Sequence, residues 1–317
     1  MAPAQDDLSH DRRPRTIHRP VLVGEVLTHL FEGVTPGPSR LVVDATLGLG
    51  GHAEAMLRAH AEVRVLGLDR DGEALSLAQE RLRPFGGRVR VVHASYAELE
   101  RVLAEAGEEA AFGVLFDLGA SSLQFDDPAR GFSFRQGREG ADMRFDRQSD
   151  GPTALDLVNR LDERRLADLV HSLGDEPRSR AVARALVRAR PIRDGAHLAQ
   201  VVRRAALRTG RHDPATRTFQ ALRMAVNDEL GHLERGLGAA LSVLEPGGRL
   251  VVLSFHSGED RVVKQALREA ARAGRGRVRT KKPQRPTDEE VRSNPRARPA
   301  RLRAFERAGS EEETQRG

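Results

Sequence analysis

The stretch "LVVDATLGLGGHAEAML", residues 41–57, most constrains what this chain folds into. Branched apolar residues run into a lone acid at Asp44, then glycines, then a helix-like segment. That order is a strand delivering its end to a ligand through a glycine-rich turn. Gly48, Gly50 and Ala53 satisfy G-x-G-x-x-[G/A], and Asp69 stands 19 residues after Gly50, where a ribose-binding acid sits. Two ligands compete. A dinucleotide brings a pyrophosphate to the helix N-terminus, where the carboxylate of Asp44 repels it. S-adenosylmethionine carries a sulfonium and an ammonium instead, and suits Asp44, Asp69 and Asp117 converging on one cleft. On the glycine pattern alone, an NAD(P)-dependent oxidoreductase stays open as the alternative.

The rest of the first half alternates in the same way. "VRVLGLDRD" (63–71), "VRVVHAS" (89–95) and "FGVLFDLG" (112–119) read as strands with helices between them. Such short apolar strands imply a parallel sheet covered on both faces. Asp71 is placed to cap the helix that follows it. From Ala120 to about Asp150 the period is lost, and then helix-like segments follow with no strand between them. The expected organisation is a sheet domain in two parts, 17–119 and 214–307, interrupted by an all-helical substrate domain at 120–213. Tails 1–16 and 308–317 are expected to be disordered. Phe219, Leu222, Val226, Leu230, Leu233, Leu237, Leu241 and Leu244 form one stripe at helical spacing, which predicts one long helix after Asp213-Pro214. "RLVVLSFHS" (249–257) reads as a fifth strand, and "RVRTKK" and "ARLRAFER" as two more.

Composition narrows the chemistry. The chain has no cysteine, so disulfides, thiolate metal sites and a cysteine nucleophile are excluded. No metal is expected. No apolar run approaches the ~20 residues needed to span a bilayer, and the polar N-terminus "MAPAQDDLSHDRRPR" argues against export, so a cytoplasmic location is expected. The net charge of +6 is uneven: residues 271–307 hold 13 Lys/Arg against 4 Asp/Glu. A basic block of that kind suits a polyanionic partner or a solvated surface.

Taken together, "HRPVLVGEVL", "DATLGLGGHAE", "LGLDRD", "DLGASSLQFDDPARGFSF", "ADMRFD", "HDPATRTFQALRMAVNDEL", "LEPGGRLVVLSFHSGEDRVVK" and "NPRARPARLR" span residues 18–307 almost continuously. In these motifs and their order the chain resembles the bacterial 16S ribosomal RNA cytosine-N4 methyltransferases, the RsmH/MraW family. The resemblance implies a class I (Rossmann-like) S-adenosylmethionine-dependent methyltransferase sheet with an inserted all-helical domain. It implies a cofactor pocket at Gly50, Gly51, His52, Asp69, Tyr96, Asp117 and Gln124, to which the reading of the loop adds Asp44 and Gly48. It also implies 16S rRNA, within the small ribosomal subunit, as partner. The family usually carries Phe where Tyr96 stands, Pro at Leu123 and Leu at Gly258.

Without cysteine, the covalent route to C5 of a pyrimidine is closed, and direct attack by an exocyclic amine or ribose hydroxyl remains. Asp117, with Ser121 and Ser122 beside it, is the candidate acceptor for an amine hydrogen. His256 either faces the target base or belongs to a cap in which Ser257 and Asp260 form a capping box. Arg130, Phe132, Phe134, Arg135, Arg138, Arg144 and Phe145 form an Arg/Phe-interleaved loop fit to stack an unpaired base and meet phosphates, or else to pack the loop down. A non-enzymatic RNA-binding assembly factor is the third reading.

Overall fold

The computed structural model describes residues 20–33, 39–133, 140–207 and 213–309. The strands are β1 (Arg40–Asp44), β2 (Val63–Asp69), β3 (Val89–His93), β4 (Ala111–Asp117), β5 (Leu244–Ser254), β6 (Gly276–Val278) and β7 (Arg301–Arg307). The helices are α1 (Val23–Phe31), α2 (Gly51–Ala59), α3 (Gly72–Leu82), α4 (Leu99–Ala106), α5 (Ser122–Asp126), α6 (Ala154–Arg160), α7 (Glu163–Gly174), α8 (Ser179–Arg188), α9 (Gly195–Ala205), α10 (Thr216–Asn227), α11 (Glu229–Val243), α12 (Ser257–Arg272) and α13 (Asp288–Ser293).

The strands form one sheet in the order β3-β2-β1-β4-β5-β7-β6. β1 to β5 pair in parallel, as the alternating pattern predicts, while β7 runs antiparallel to β5 and β6. The sheet is therefore mixed: the last two strands follow one another without a crossover helix long enough to restore direction. One face packs on α4, α11 and α12 through Leu103, Leu237 and Val263. The other packs on α1, α2 and α3 through Leu30, Met56 and Leu75. Apolar cover on both sides is what such strands require.

Between β4 and β5, α6 to α9 build a separate apolar core around Val158, Val170, Leu186 and Val202. Phe219 and Leu222 of α10, with Ala215 just before it, complete it. The boundary expected at 213 thus falls short, because α10 buries its apolar side in the helical unit rather than on the sheet. The single long helix is also corrected. It breaks at Asp228, which takes a left-handed conformation with φ +46°. The carbonyl of Asn227 accepts from Arg70 Nη1 at 2.9 Å instead of continuing the helix. The apolar stripe is real, but Asp228 lies between its members, so the spacing does not register the break.

The 1–16 tail lies outside the described residues. At the other end the chain stays packed through Ala308, which is buried and donates its N–H to the Arg275 carbonyl at 3.0 Å. That residue is not part of a disordered tail, and residues 310–317 lie outside the described ones.

Candidate active site

The carboxyl ends of β1, β2, β4 and β5 open onto a cleft of about 760 Å³. β1 and β4 are neighbours from which successive strands run in opposite directions, the place where open α/β sheets hold ligands. Gly48, Gly51, His52, Asp69, Tyr96, Asp117, Ser121 and Gln124 line this cleft. Asp44 and Gly50 do not reach its surface, a correction to the expected set.

The glycine loop explains that difference. Gly48 and Gly50 take positive φ values of 51° and 75°, so the chain turns where a side chain would be strained. Gly50 turns its Cα toward α3, where a Cβ would lie 3.1 Å from Leu82. Its role is a close helix contact behind the cleft wall. Asp69 fixes the loop from the front: Oδ2 accepts from Gly48 N at 2.7 Å and Oδ1 from Asp71 N at 2.9 Å.

Asp44 is 1% exposed behind the loop. Burial pushes its carboxyl up to about 7, against the downward pull of His52. A folded value above the unfolded one means that protonated Asp44 favours the fold at low pH, and that this contribution is lost as pH rises through about 7. Asp44→Asn removes the titration. Its stability relative to the parent should increase by roughly 2 kcal/mol between pH 5 and pH 8. Urea unfolding at the two pH values checks this, and a pH-independent difference would refute it.

His52 is also buried, with Nε2 3.4 Å from Asp117 Oδ2. Burial alone would lower its pKa; the carboxylates of Asp117 and Asp44 outweigh it and raise it. Asp117 is held by its backbone N–H, which donates to Thr46 Oγ1 at 2.6 Å. Yet buried Asp117 Oδ1 and His52 Nε2 have no hydrogen-bond partner among the described residues. Buried polar atoms rarely stay unpaired. Both stand where a ligand's donors and acceptors would satisfy them.

Tyr96 follows β3 and sets its ring edge-on to Phe116, with centroids 5.3 Å apart. α11 presses on it so closely that a Cβ on Gly236 would fall 2.6 Å from the ring. Gln124 and Ser121 form a capping box on α5, and Gln124 Nε2 donates to Asp71 Oδ2 at 2.8 Å. The amide of Gln124 is thus committed to shaping the wall, while the Ser121 hydroxyl, which accepts from Gln124 N, retains its proton to donate.

The capping box at "SFHSGEDR" sits one residue earlier than expected. His256 is the cap of α12 and Glu259 its reciprocal partner, with His256 Nδ1 accepting from Glu259 N at 3.3 Å. His256 therefore turns toward the helix end and is absent from the cleft lining; Glu259 lines it instead. Beside Glu259, Arg223 grips Glu229 through Nε and Nη2 at 2.7 and 2.8 Å, and both line the cleft. These charged residues were not anticipated. Glu229, His256 and Glu259 bring possible ligand atoms within 4.8 Å of one another, but Arg223 supplies the cation of that corner.

The Arg/Phe loop is corrected most. Arg130 is 1% exposed and donates Nη2 to Asp71 Oδ2 at 2.8 Å and to the Phe145 carbonyl at 2.9 Å. It meets no phosphate, because it neutralises the acid that caps α3. Phe132 is buried and stacks on Phe145 at 5.8 Å with planes 4° apart, both rings in the cleft wall. Arg144 is held by Asp142 at 2.7 and 2.9 Å. Phe134, Arg135 and Arg138 lie outside the described residues.

The model of the MraW methylase family matches residues 15–308. The chain belongs to that family. A "Ribosomal RNA small subunit methyltransferase H" of Sorangium cellulosum is 48% identical over 310 residues, covering 95% of this chain and 94% of that one. Proteins of the same name from Acidothermus cellulolyticus and Solibacter usitatus are each 45% identical and cover 93% and 92% of this chain. Membership in the MraW methylases decides between the two ligands of the glycine loop: this is an S-adenosylmethionine-dependent methyltransferase, and the nicotinamide reading is set aside. The donor set agrees. Asp69 and Asp117 at two strand ends in the cleft wall, with an unpaired Asp117 oxygen, suit a cation-bearing nucleoside rather than a pyrophosphate.

Proposed function

We propose that this chain transfers a methyl group to the N4 amine of a cytosine in 16S ribosomal RNA, acting in the cytoplasm on the assembled small subunit. The unpaired, buried Oδ1 of Asp117 beside His52 carries the reading. Asp69 would receive the ribose hydroxyls of S-adenosylmethionine, Tyr96 would pack its adenine, and the Gly48–His52 loop would border its amino-acid end. Bound there, the cofactor supplies an electrophilic methyl on sulfur. The amine of cytosine is a weak nucleophile because its lone pair is conjugated into the ring. Asp117 Oδ1 accepts one amine hydrogen, which aligns the nitrogen and raises its electron density. The amine loses that proton as the new N–C bond forms, and Asp117, charge-paired with His52, is the acceptor in place. Phe132 and Phe145 offer a flat aromatic wall for an unstacked base, and the helical unit of α6 to α10 would carry substrate recognition.

Labelled methyl transfer to small subunits that lack the modification, followed by nucleoside mass spectrometry, tests this. N4-methylcytidine is the expected product; label on C5 or on ribose overturns it. Naked 16S rRNA run in parallel should be the poorer substrate. A second test concerns Asp69→Ala. Hydrogen bonds to a charged group contribute roughly 1.5–3 kcal/mol each, so cofactor affinity should fall at least about tenfold by calorimetry. Unchanged affinity would remove Asp69 from the cofactor site.

A further inference from the structure

α12 begins at the cleft, where Glu259 lines the wall, and runs away from it. Its buried side carries Val263, Leu267 and Ala270. On the opposite side Arg261, Lys264, Arg268 and Arg272 are all exposed. Their spacing of three, four and four residues keeps them on one face over about 16 Å. None makes a side-chain hydrogen bond or ion pair among the described residues, and neither do Lys281 and Lys282 nearby. Other exposed arginines, Arg83 and Arg90 among them, are unpaired too, but singly; the stripe is set apart by its shared face, and several other cations are neutralised. Arg101 is flanked by Glu98 and Glu105, Arg277 and Arg279 share Glu306, and Arg64 pairs with Glu108. The acids of α12 itself are engaged elsewhere: Asp260 with Arg303 and Arg301, Glu269 with Gln265.

The stripe also has a seat. Lys264, Arg268 and Lys281 rim a second cavity of about 240 Å³, floored by Thr280 and Arg303. Thr280 Oγ1 accepts from Ala304 N at 3.0 Å, which leaves its hydroxyl proton free to donate. Three uncompensated cations over a hydroxyl donor are the donor set of a phosphodiester.

We infer that the exposed face of α12 and this cavity form a second RNA-binding site, which holds backbone phosphates of the strand leaving the cleft. The inference rests on the RNA methyltransferase reading. It joins Arg261, Lys264 and Arg268 of α12 to Arg272, Lys281 and Lys282 of the basic C-terminal block in one place, separate from the Arg/Phe loop. Phosphate contacts set affinity and register without reading sequence.

The test uses the full chain with Lys264→Gln and Arg268→Gln combined, and a 16S rRNA transcript as probe. Loss of two phosphate contacts should reduce the slope of log affinity against log salt by about 1.4–1.8. Affinity for S-adenosylmethionine should be unchanged, which also shows that the variant is folded. Arg101→Gln, an arginine already neutralised, should leave the slope as it was. An unchanged slope in the double variant overturns the inference. So does unchanged affinity for the transcript with loss confined to assembled subunits, which would make the stripe a dock for an acidic protein of the particle. Failure of the underlying reading is distinct: the parent protein would then transfer no methyl to 16S rRNA, whatever the salt slopes.

Discussion

Asp117→Asn should slow single-turnover methylation at saturating cofactor by about 10²–10³-fold, the usual cost of losing one oriented group that stabilises charge in the transition state. The substitution keeps the shape and the backbone bond to Thr46. It removes a negative charge and replaces an acceptor with a donor. An amine hydrogen then meets a group that cannot take it. Affinity for S-adenosylmethionine should change far less than the rate, because the lost interaction strengthens only as the amine attacks. A binding titration beside the kinetics separates the roles. If affinity collapses and excess cofactor restores turnover, Asp117 serves the cofactor instead. The variant should also titrate His52 at a lower pH than the parent, since the neighbouring carboxylate holds that imidazole's pKa up.

Arg130→Met should destabilise the protein by about 3–5 kcal/mol, the range for breaking a buried ion pair from one side. Its guanidinium meets Asp71, Glu73 and the carbonyls of Arg144 and Phe145 at 1% exposure. Methionine fills much of the volume but leaves Asp71 with the amide of Gln124 and the first N–H groups of α3. Thermal or urea unfolding reads the loss. RNA binding measured well below the melting temperature should keep the parent's salt slope. A stable variant with a flatter slope would return Arg130 to the RNA surface.

The strands, the glycine turn and the acids at strand ends were legible because each depends on local pattern: apolar runs, a positive-φ turn, an acid at a fixed distance. The buried charges were not. Arg130 carries the same formal charge whether it meets a phosphate or Asp71, and only the fold discloses a carboxylate 59 residues away. Arg223 and Glu229 show the limit more sharply. Six residues apart on one continuous helix, they would point about 120° away from each other. The turn at Asp228 cancels that separation and brings them into contact. On one unbroken helix nothing would pair them. The shift of the α12 cap from Ser257 to His256 is smaller in kind: two capping patterns overlap by one residue, and packing chooses.

Asn227 joins two distant stretches of the chain. Its Oδ1 accepts from Phe145 N at 2.8 Å and its Nδ2 donates to the Met143 carbonyl at 2.7 Å. The chain that enters the helical unit and the chain that leaves it are thereby fastened at one amide, 82 residues apart in sequence. A closed loop of that size feels its own length only weakly; doubling it costs about 0.6 kcal/mol. Insertions within α6 to α9 would therefore cost that tie little, while α10, which carries Arg223 into the cleft wall, has to keep its place. Substrate range can diversify in the distal helices while α10 stays fastened to the catalytic sheet through Asn227, Arg223 and the bond from Arg70.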